Sequence, residues 1–66
     1  MYVTVNGETR DLADGTTIVQ LLALLDVSQA GTAVEVNREI VSRSHHAERL
    51  LRDGDVVEIV TFVGGG

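Results

Sequence analysis

The chain has 66 residues, 44% of them hydrophobic and 23% charged, with a formal net charge of −5 at pH 7. This length and composition predict one small globular domain and argue against a disordered or multidomain chain. The sequence contains no cysteine, which excludes disulfides, thiolate metal sites and a nucleophilic thiol.

The charge pattern predicts which partners suit the chain. All five basic residues are arginine, and the acidic excess makes nucleic acid and anionic membrane surfaces poor partners. A protein partner with a basic docking surface is favoured instead. The sequence shows no secretory signal and no apolar stretch near the roughly 20 residues that span a bilayer, so we expect a cytoplasmic protein.

The first quarter of the chain predicts a β-hairpin. Val3 and Val5 alternate with polar residues across positions 2–6, which is typical of a half-buried strand. Asn6-Gly7 is a dipeptide favoured in two-residue hairpin turns, so residues 8–12 should return as the second strand.

A helix is predicted next, after a turn at Asp14-Gly15. Thr17 and Gln20 fit a capping box, and the helix should end near Asp26. Apolar residues then recur at helical spacing and predict a stripe that faces the core, which Leu24 broadens on one side. The stripe consists of Ile18, Leu21, Leu22 and Leu25.

The second half of the chain predicts three further strands and a short helical turn. The strands cover residues 33–37, 40–42 and 56–62. Turns are expected at Asn37-Arg38-Glu39 and at Asp53-Gly54-Asp55, the second of which is a clear turn signal. A single helical turn is expected within residues 44–51, with Leu50 and Leu51 as core anchors.

The last strand should have two different faces. Val57 and Ile59 should face the core, because Glu58 between them needs solvent. By the same alternation Val60 and Phe62 should point outward with Glu58. They form an apolar pair beside the glycines that could dock a partner, although single exposed apolar residues also occur without a function.

The order of elements predicts an α+β domain over residues 1–62. We expect a mixed sheet of four to five strands, with one main helix packed across one face as a crossover between non-adjacent strands. A ferredoxin-like fragment and a small roll are the alternatives at this point. Residues 63–66 should follow as a flexible C-terminal tail, because glycines bury no side chain and cost much entropy to order.

Few side chains offer the chemistry of an active site. His45-His46 with Glu48 could provide two metal ligands at most, and a structural zinc site needs four, so a solvated surface pair is the better interpretation. Asp53 and Asp55 are explained by turn formation, because the rest of a calcium loop is missing. We expect this chain to bind neither a metal nor a cofactor.

The glycine run points to chemistry on the main chain. A free carboxylate on Gly66 is a poor electrophile until adenylation turns one of its oxygens into a leaving group. Gly64 and Gly65 have no side chains, so they could thread the carboxylate into a narrow enzyme channel. A loose end without function, or a plain interaction module, is the alternative interpretation.

An ordered set of short motifs runs through all 66 residues. They are Asn6-Gly7, Asp14-Gly15-Thr16-Thr17, Leu21-Leu22 with Leu25-Asp26, Val36-Asn37 with Ile40-Val41, Asp53-Gly54-Asp55 and Gly65-Gly66. In this the chain resembles the ThiS family of sulfur carriers, which are ubiquitin-like β-grasp proteins related to MoaD. It departs from them at Ser42-Arg43, where a proline is often found, and at Gly64, which makes three glycines instead of two.

The resemblance implies a sulfur relay in thiamin biosynthesis. A ThiF-like adenylyltransferase would use MgATP to activate the carboxylate of Gly66, and sulfur that originates from cysteine would arrive from an upstream donor enzyme. The resulting thiocarboxylate would deliver sulfur to a ThiG-like thiazole synthase, so the chain would be a protein cosubstrate and not an enzyme. On this view Val60, Phe62 and Val63 would contact the partner. Related β-grasp carriers for molybdopterin or tRNA thiolation, and ubiquitin-like modifiers, share this chemistry and remain alternatives.

Overall fold

A five-stranded mixed sheet and one α-helix make up residues 1–62, the part of the chain that the computed structural model describes. The elements in chain order are β1 (Tyr2–Val5), β2 (Glu8–Asp11), α1 (Ile18–Leu24), β3 (Thr32–Val36), β4 (Glu39–Val41) and β5 (Val56–Thr61). A short 3₁₀ helix, Arg43–His45, lies between β4 and β5. The predicted strands are confirmed to within one residue at each end. No helix within residues 1–62 has both the length and the apolar character needed to cross a membrane.

The strands lie in the order β2-β1-β5-β3-β4. β1 pairs with β5 in parallel, and the other neighbouring pairs are antiparallel. Since β2 and β3 are separated by two strands, α1 forms the predicted crossover between non-adjacent strands. β5 therefore lies in the middle of the sheet, between β1 and β3.

Helix α1 begins at the predicted capping box. The Gln20 N–H donates to Thr17 Oγ1 at 3.2 Å, and the Thr17 N–H donates to Gln20 Oε1 at 2.9 Å. These reciprocal hydrogen bonds satisfy two N–H groups that the first helical turn leaves without partners. The helix ends at Leu24, two residues earlier than predicted, and Leu25 caps it.

The core lies between α1 and one face of the sheet. It consists of Val3, Val5, Leu12, Ile18, Leu21, Leu22, Val34, Val36, Leu51 and Val57, and Leu25 and Ile59 pack against it partly buried. The prediction that Leu24 broadens the helical stripe was wrong, because this side chain is 69% exposed. Successive helical residues are rotated by roughly 100°, which turns Leu24 away from the sheet when Ile18 and Leu22 face it.

Two further predictions were wrong, and both concern the connection between β4 and β5. Leu51 is buried as predicted, but Leu50 is 52% exposed and is not a core anchor. Leu50 pairs with Thr17 in an isolated bridge, so the chain is extended here and neighbouring side chains point to opposite sides. His46 was predicted to be on the surface, yet it is buried, and one ring nitrogen, Nε2, lies 2.9 Å from the Val41 carbonyl.

Both tight hairpin turns begin with an asparagine in a left-handed conformation. Asn6 and Gly7 have φ values of 48° and 84°, and Asn37 and Arg38 have 52° and 70°. Two consecutive positive φ values match the right-handed twist of hairpin strands, and asparagine adopts them more readily than most residues. The predicted turns at Asn6-Gly7 and at residues 37–39 are confirmed.

Candidate functional site

Strand β5 presents two chemically different faces. Val57 is fully buried in the core and Ile59 is partly buried, whereas Val60 is 53% and Phe62 is 63% exposed. The alternation predicted from Glu58 is therefore confirmed. This exposed side of β5 lies on the surface of the sheet opposite α1, which we call the open face.

The open face collects exposed apolar side chains from three strands and the residue that follows β5. By the alternation along each strand they are Tyr2, Ile40, Val56, Val60 and Phe62. The predicted pair of Val60 and Phe62 thus belongs to a larger surface. Exposed apolar side chains that share one face of a small domain are typical of a surface that binds another protein.

Sequence reasoning missed three members of this surface, namely Tyr2, Ile40 and Val56. Alternation gave the outward direction of Tyr2, but strand order was needed to place it on the same side as Phe62. Ile40 lies there because it pairs with Glu35, which points away from its buried neighbours Val34 and Val36. The missing information was non-local, so no motif could have supplied it.

Two carboxylates lie at the centre of the open face. Glu35 on β3 and Glu58 on β5 are directly opposite each other in the antiparallel ladder. The ion pairs found among residues 1–62 involve other acidic residues, Glu8, Asp11 and Asp14. Like charges at opposed positions of two strands are unfavourable, and none of the described strand residues on this face is basic. The open face is therefore apolar with an acidic centre.

The chain leaves the sheet beside Gly31. The N–H of Phe62 donates to the Gly31 carbonyl at 2.7 Å, one residue beyond the end of β5. Gly31 has a φ of 71°, which glycine adopts without strain. Phe62 is thus fixed by its main chain while its side chain stays exposed on the open face.

The two other constellations singled out in the sequence do not form a site. Among residues 1–62, no group of three or more His, Cys, Asp or Glu side chains could hold a metal ion. His45 Nδ1 lies 2.9 Å from Ser42 Oγ, and buried His46 bonds to the main chain. Asp55 holds the turn as predicted, since it accepts from the Arg52 N–H, whereas Asp53 accepts from the Tyr2 N–H and ties the turn to β1.

The remaining predicted site residues are Val63, Gly64, Gly65 and Gly66. All four lie outside the described residues, so the predicted flexible tail and the roles of these residues stay predictions.

Comparison with known proteins identifies the family. The ThiS family matches residues 3–66 of this chain. The sulfur carrier protein ThiS of Escherichia coli is 35% identical over 66 residues, which is the full length of both chains. A thiazole synthase of Paramagnetospirillum magneticum is 44% identical over all 66 residues, and this chain spans only 20% of its length.

A solved structure agrees with this match. The crystal structure of a thiamine biosynthesis protein (ThiS) from Geobacter metallireducens superposes with a TM-score of 0.84 and 38% sequence identity, and the match covers the whole of both chains. The likeness confirms the predicted β-grasp fold. The chain belongs to the ThiS family.

Proposed function

We propose that this protein is a sulfur carrier in thiamin biosynthesis. The observation that supports this most directly is the family match through residue 66, which includes the three glycines. The E. coli sulfur carrier matches this chain over its full length. The exposed surface around Val60 and Phe62 lies beside the segment that would react.

The reaction takes place on the main-chain carboxylate of Gly66. A carboxylate oxygen attacks the α-phosphorus of ATP, pyrophosphate leaves, and the carboxylate becomes an acyl-adenylate. Hydrosulfide, supplied by the donor enzyme, then attacks the acyl carbon; the bond to AMP breaks, one proton is released, and a thiocarboxylate remains on Gly66. MgATP is bound by the adenylating enzyme, so this chain acts as a cosubstrate with no cofactor of its own. Because the activation consumes ATP, we place the reaction in the cytoplasm.

The open face docks the carrier on the adenylating enzyme. Its apolar side chains, with Val63, would be removed from water in the complex, and Gly64 and Gly65 would extend into the active site. Glu35 and Glu58 favour a partner that presents a basic group between its apolar contacts. This assignment gives a role to an acidic pair that the isolated fold does not need.

Thiazole synthase is the proposed acceptor of the sulfur. The P. magneticum thiazole synthase contains a segment similar to this whole chain, which supports a functional connection between the two kinds of protein. In this proposal, thiazole synthase takes the sulfur from the thiocarboxylate on Gly66, an oxygen atom replaces it, and the regenerated carboxylate can enter another cycle.

Intact mass measurement tests the proposal. Incubation with a cognate adenylating enzyme, MgATP and a sulfur donor should raise the mass by about 16 Da, because sulfur replaces one carboxylate oxygen on the activated carbonyl. A variant that lacks Gly65 and Gly66 is the control and should show no increase. An unchanged mass for the full chain, or an equal increase in the truncated chain, would contradict the assignment.

A further inference from the structure

The side chain of Asn6 makes two hydrogen bonds to the main chain of Ile59. Asn6 Nδ2 donates to the Ile59 carbonyl at 3.1 Å, and Asn6 Oδ1 accepts from the Ile59 N–H at 2.7 Å. The last main-chain hydrogen bond between the β1 segment and β5 runs from the Asn6 N–H to the Val57 carbonyl. The chain then turns toward β2. The side-chain amide of Asn6 therefore makes the two hydrogen bonds to Ile59 that the main chain of β1 would make if the parallel strand continued.

This contact lies where β5 loses its neighbouring strand on one side. The parallel pairing of β1 with β5 ends at Val5 and Val57, whereas the pairing with β3 continues to Thr61. Among the hydrogen bonds of the described residues, those of Asn6 are the last that hold β5 from the β1 side. Val60 and Phe62, the docking residues, follow directly.

We propose that Asn6 is a positioning residue for the carrier reaction. Its amide holds the last part of β5 from the β1 side, as the hydrogen bond between Phe62 and Gly31 holds it from the β3 side, and so fixes where the reacting segment begins relative to the docking residues. The inference rests on the proposed function. A strand end that moves would lower the fraction of docked carriers whose carboxylate reaches the reacting geometry, which lowers the rate of the bound carrier without weakening its docking.

Asparagine meets two requirements at this position. The turn needs a residue that tolerates a φ of 48°, and Ile59 needs both a donor and an acceptor. Glycine would satisfy the turn but make neither hydrogen bond. Aspartate would lose the donor and place a carboxylate oxygen against the Ile59 carbonyl.

Asn37 provides a matched control at the other end of β5. It also opens a hairpin turn with a positive φ, and its Oδ1 accepts from the Val56 N–H at 3.0 Å while its Nδ2 donates to Asp55 Oδ1 at 2.9 Å. Asn37→Gly therefore removes two side-chain hydrogen bonds from the start of the strand. Asn6→Gly removes two from the part nearest Phe62.

The test compares wild type, Asn6→Gly and Asn37→Gly as substrates of a cognate adenylating enzyme, below the unfolding temperature of each. Pyrophosphate release measures kcat and KM for the carrier. We expect Asn6→Gly to lower kcat about ten-fold, because fewer docked carriers reach the reacting geometry, with KM within about two-fold. Hydrogen exchange at the Ile59 amide should rise in this variant and not in Asn37→Gly, whose kcat should stay within about two-fold of wild type.

The outcomes separate this inference from the proposed function. A reactive wild type with equal kcat values for the two variants, or a change in KM alone, would overturn the role of Asn6 and leave the carrier function standing. A wild-type chain that no adenylating enzyme accepts would overturn the carrier function and this role with it.

Discussion

His46 is a buried histidine in a core that is otherwise almost entirely aliphatic. Its Nε2 lies 2.9 Å from the Val41 carbonyl, which can only accept, so this nitrogen carries the proton and donates. Nδ1 is buried without a hydrogen-bond partner among the described residues. The ring thus packs beside the end of β4, and the main chain of His46 is tied to α1, because the Val19 N–H donates to the His46 carbonyl at 3.1 Å.

Replacing His46 with alanine should destabilise the fold. The change removes buried volume and leaves the Val41 carbonyl without its donor, so we expect the free energy of unfolding to fall by about 1–3 kcal/mol. His45→Ala is the control, since His45 is exposed and its loss should cost less than about 0.5 kcal/mol. Urea denaturation of both variants measures the difference. Equally small effects would contradict the buried position of His46.

Single residues show why burial was harder to predict than local structure. The capping box of Thr17 and Gln20 was predictable because both partners lie within one helical turn. The positions of Leu24, Leu50 and His46 depend on which side of each segment meets the sheet. That choice is made by contacts with distant residues, so hydrophobicity alone assigned two leucines wrongly to the core and one histidine wrongly to the surface.

At the scale of elements, the two faces of β5 have different roles. Its inner residue Val57 is packed in the core, and its outer residues form part of the open face. Alternation predicted this division, because the side-chain period of a strand is the same wherever the strand lies. The position of β5 between β1 and β3, and hence the extent of the open face, was not predictable from the pattern, since strand order is set by pairings across the whole chain.

Substitutions on the two faces should therefore affect different properties: stability on the inner face and binding to the enzyme on the outer face. Val57→Ala deletes two buried methyl groups and should lower the free energy of unfolding by about 2 kcal/mol, with little effect on binding to the enzyme by the folded fraction. Phe62→Asp should change stability by less than about 0.5 kcal/mol but weaken binding to the adenylating enzyme at least about ten-fold. Denaturation curves and titration calorimetry check both, and a large loss of stability in Phe62→Asp would place that ring in the core.

At the scale of the whole molecule, the negative charge is concentrated in part on the open face. The net charge is −5, and the strand residues of the open face contribute acidic groups, Asp11, Glu35 and Glu58. Arg10 pairs with Val3, whose side chain is buried, so this arginine lies on the opposite side of the sheet. The face that we propose for docking is the one that would attract a basic surface.

Association with the adenylating enzyme should consequently depend on salt. We expect the association rate to fall as ionic strength rises from about 0.01 M to 0.15 M, where screening shortens to roughly 8 Å. Glu58→Arg should slow association and flatten this dependence. Glu48→Arg, an exposed residue in the connection before β5, makes the same change from −5 to −3 (−5 + 2) and should have a smaller effect. Stopped-flow kinetics measures the rates, and equal effects would show that only total charge matters.

The central position of β5 has a consequence for how the protein is made. A growing chain that has released β1 to β4 still lacks the strand that joins β1 to β3, so its two hairpins have no shared sheet. Sheets built from such distant pairings form late, because their closure entropy must be met before the contacts help. Folding during synthesis must therefore wait until residues 56–61 have left the ribosome, and a chain cut short before β5 should not form a folded domain.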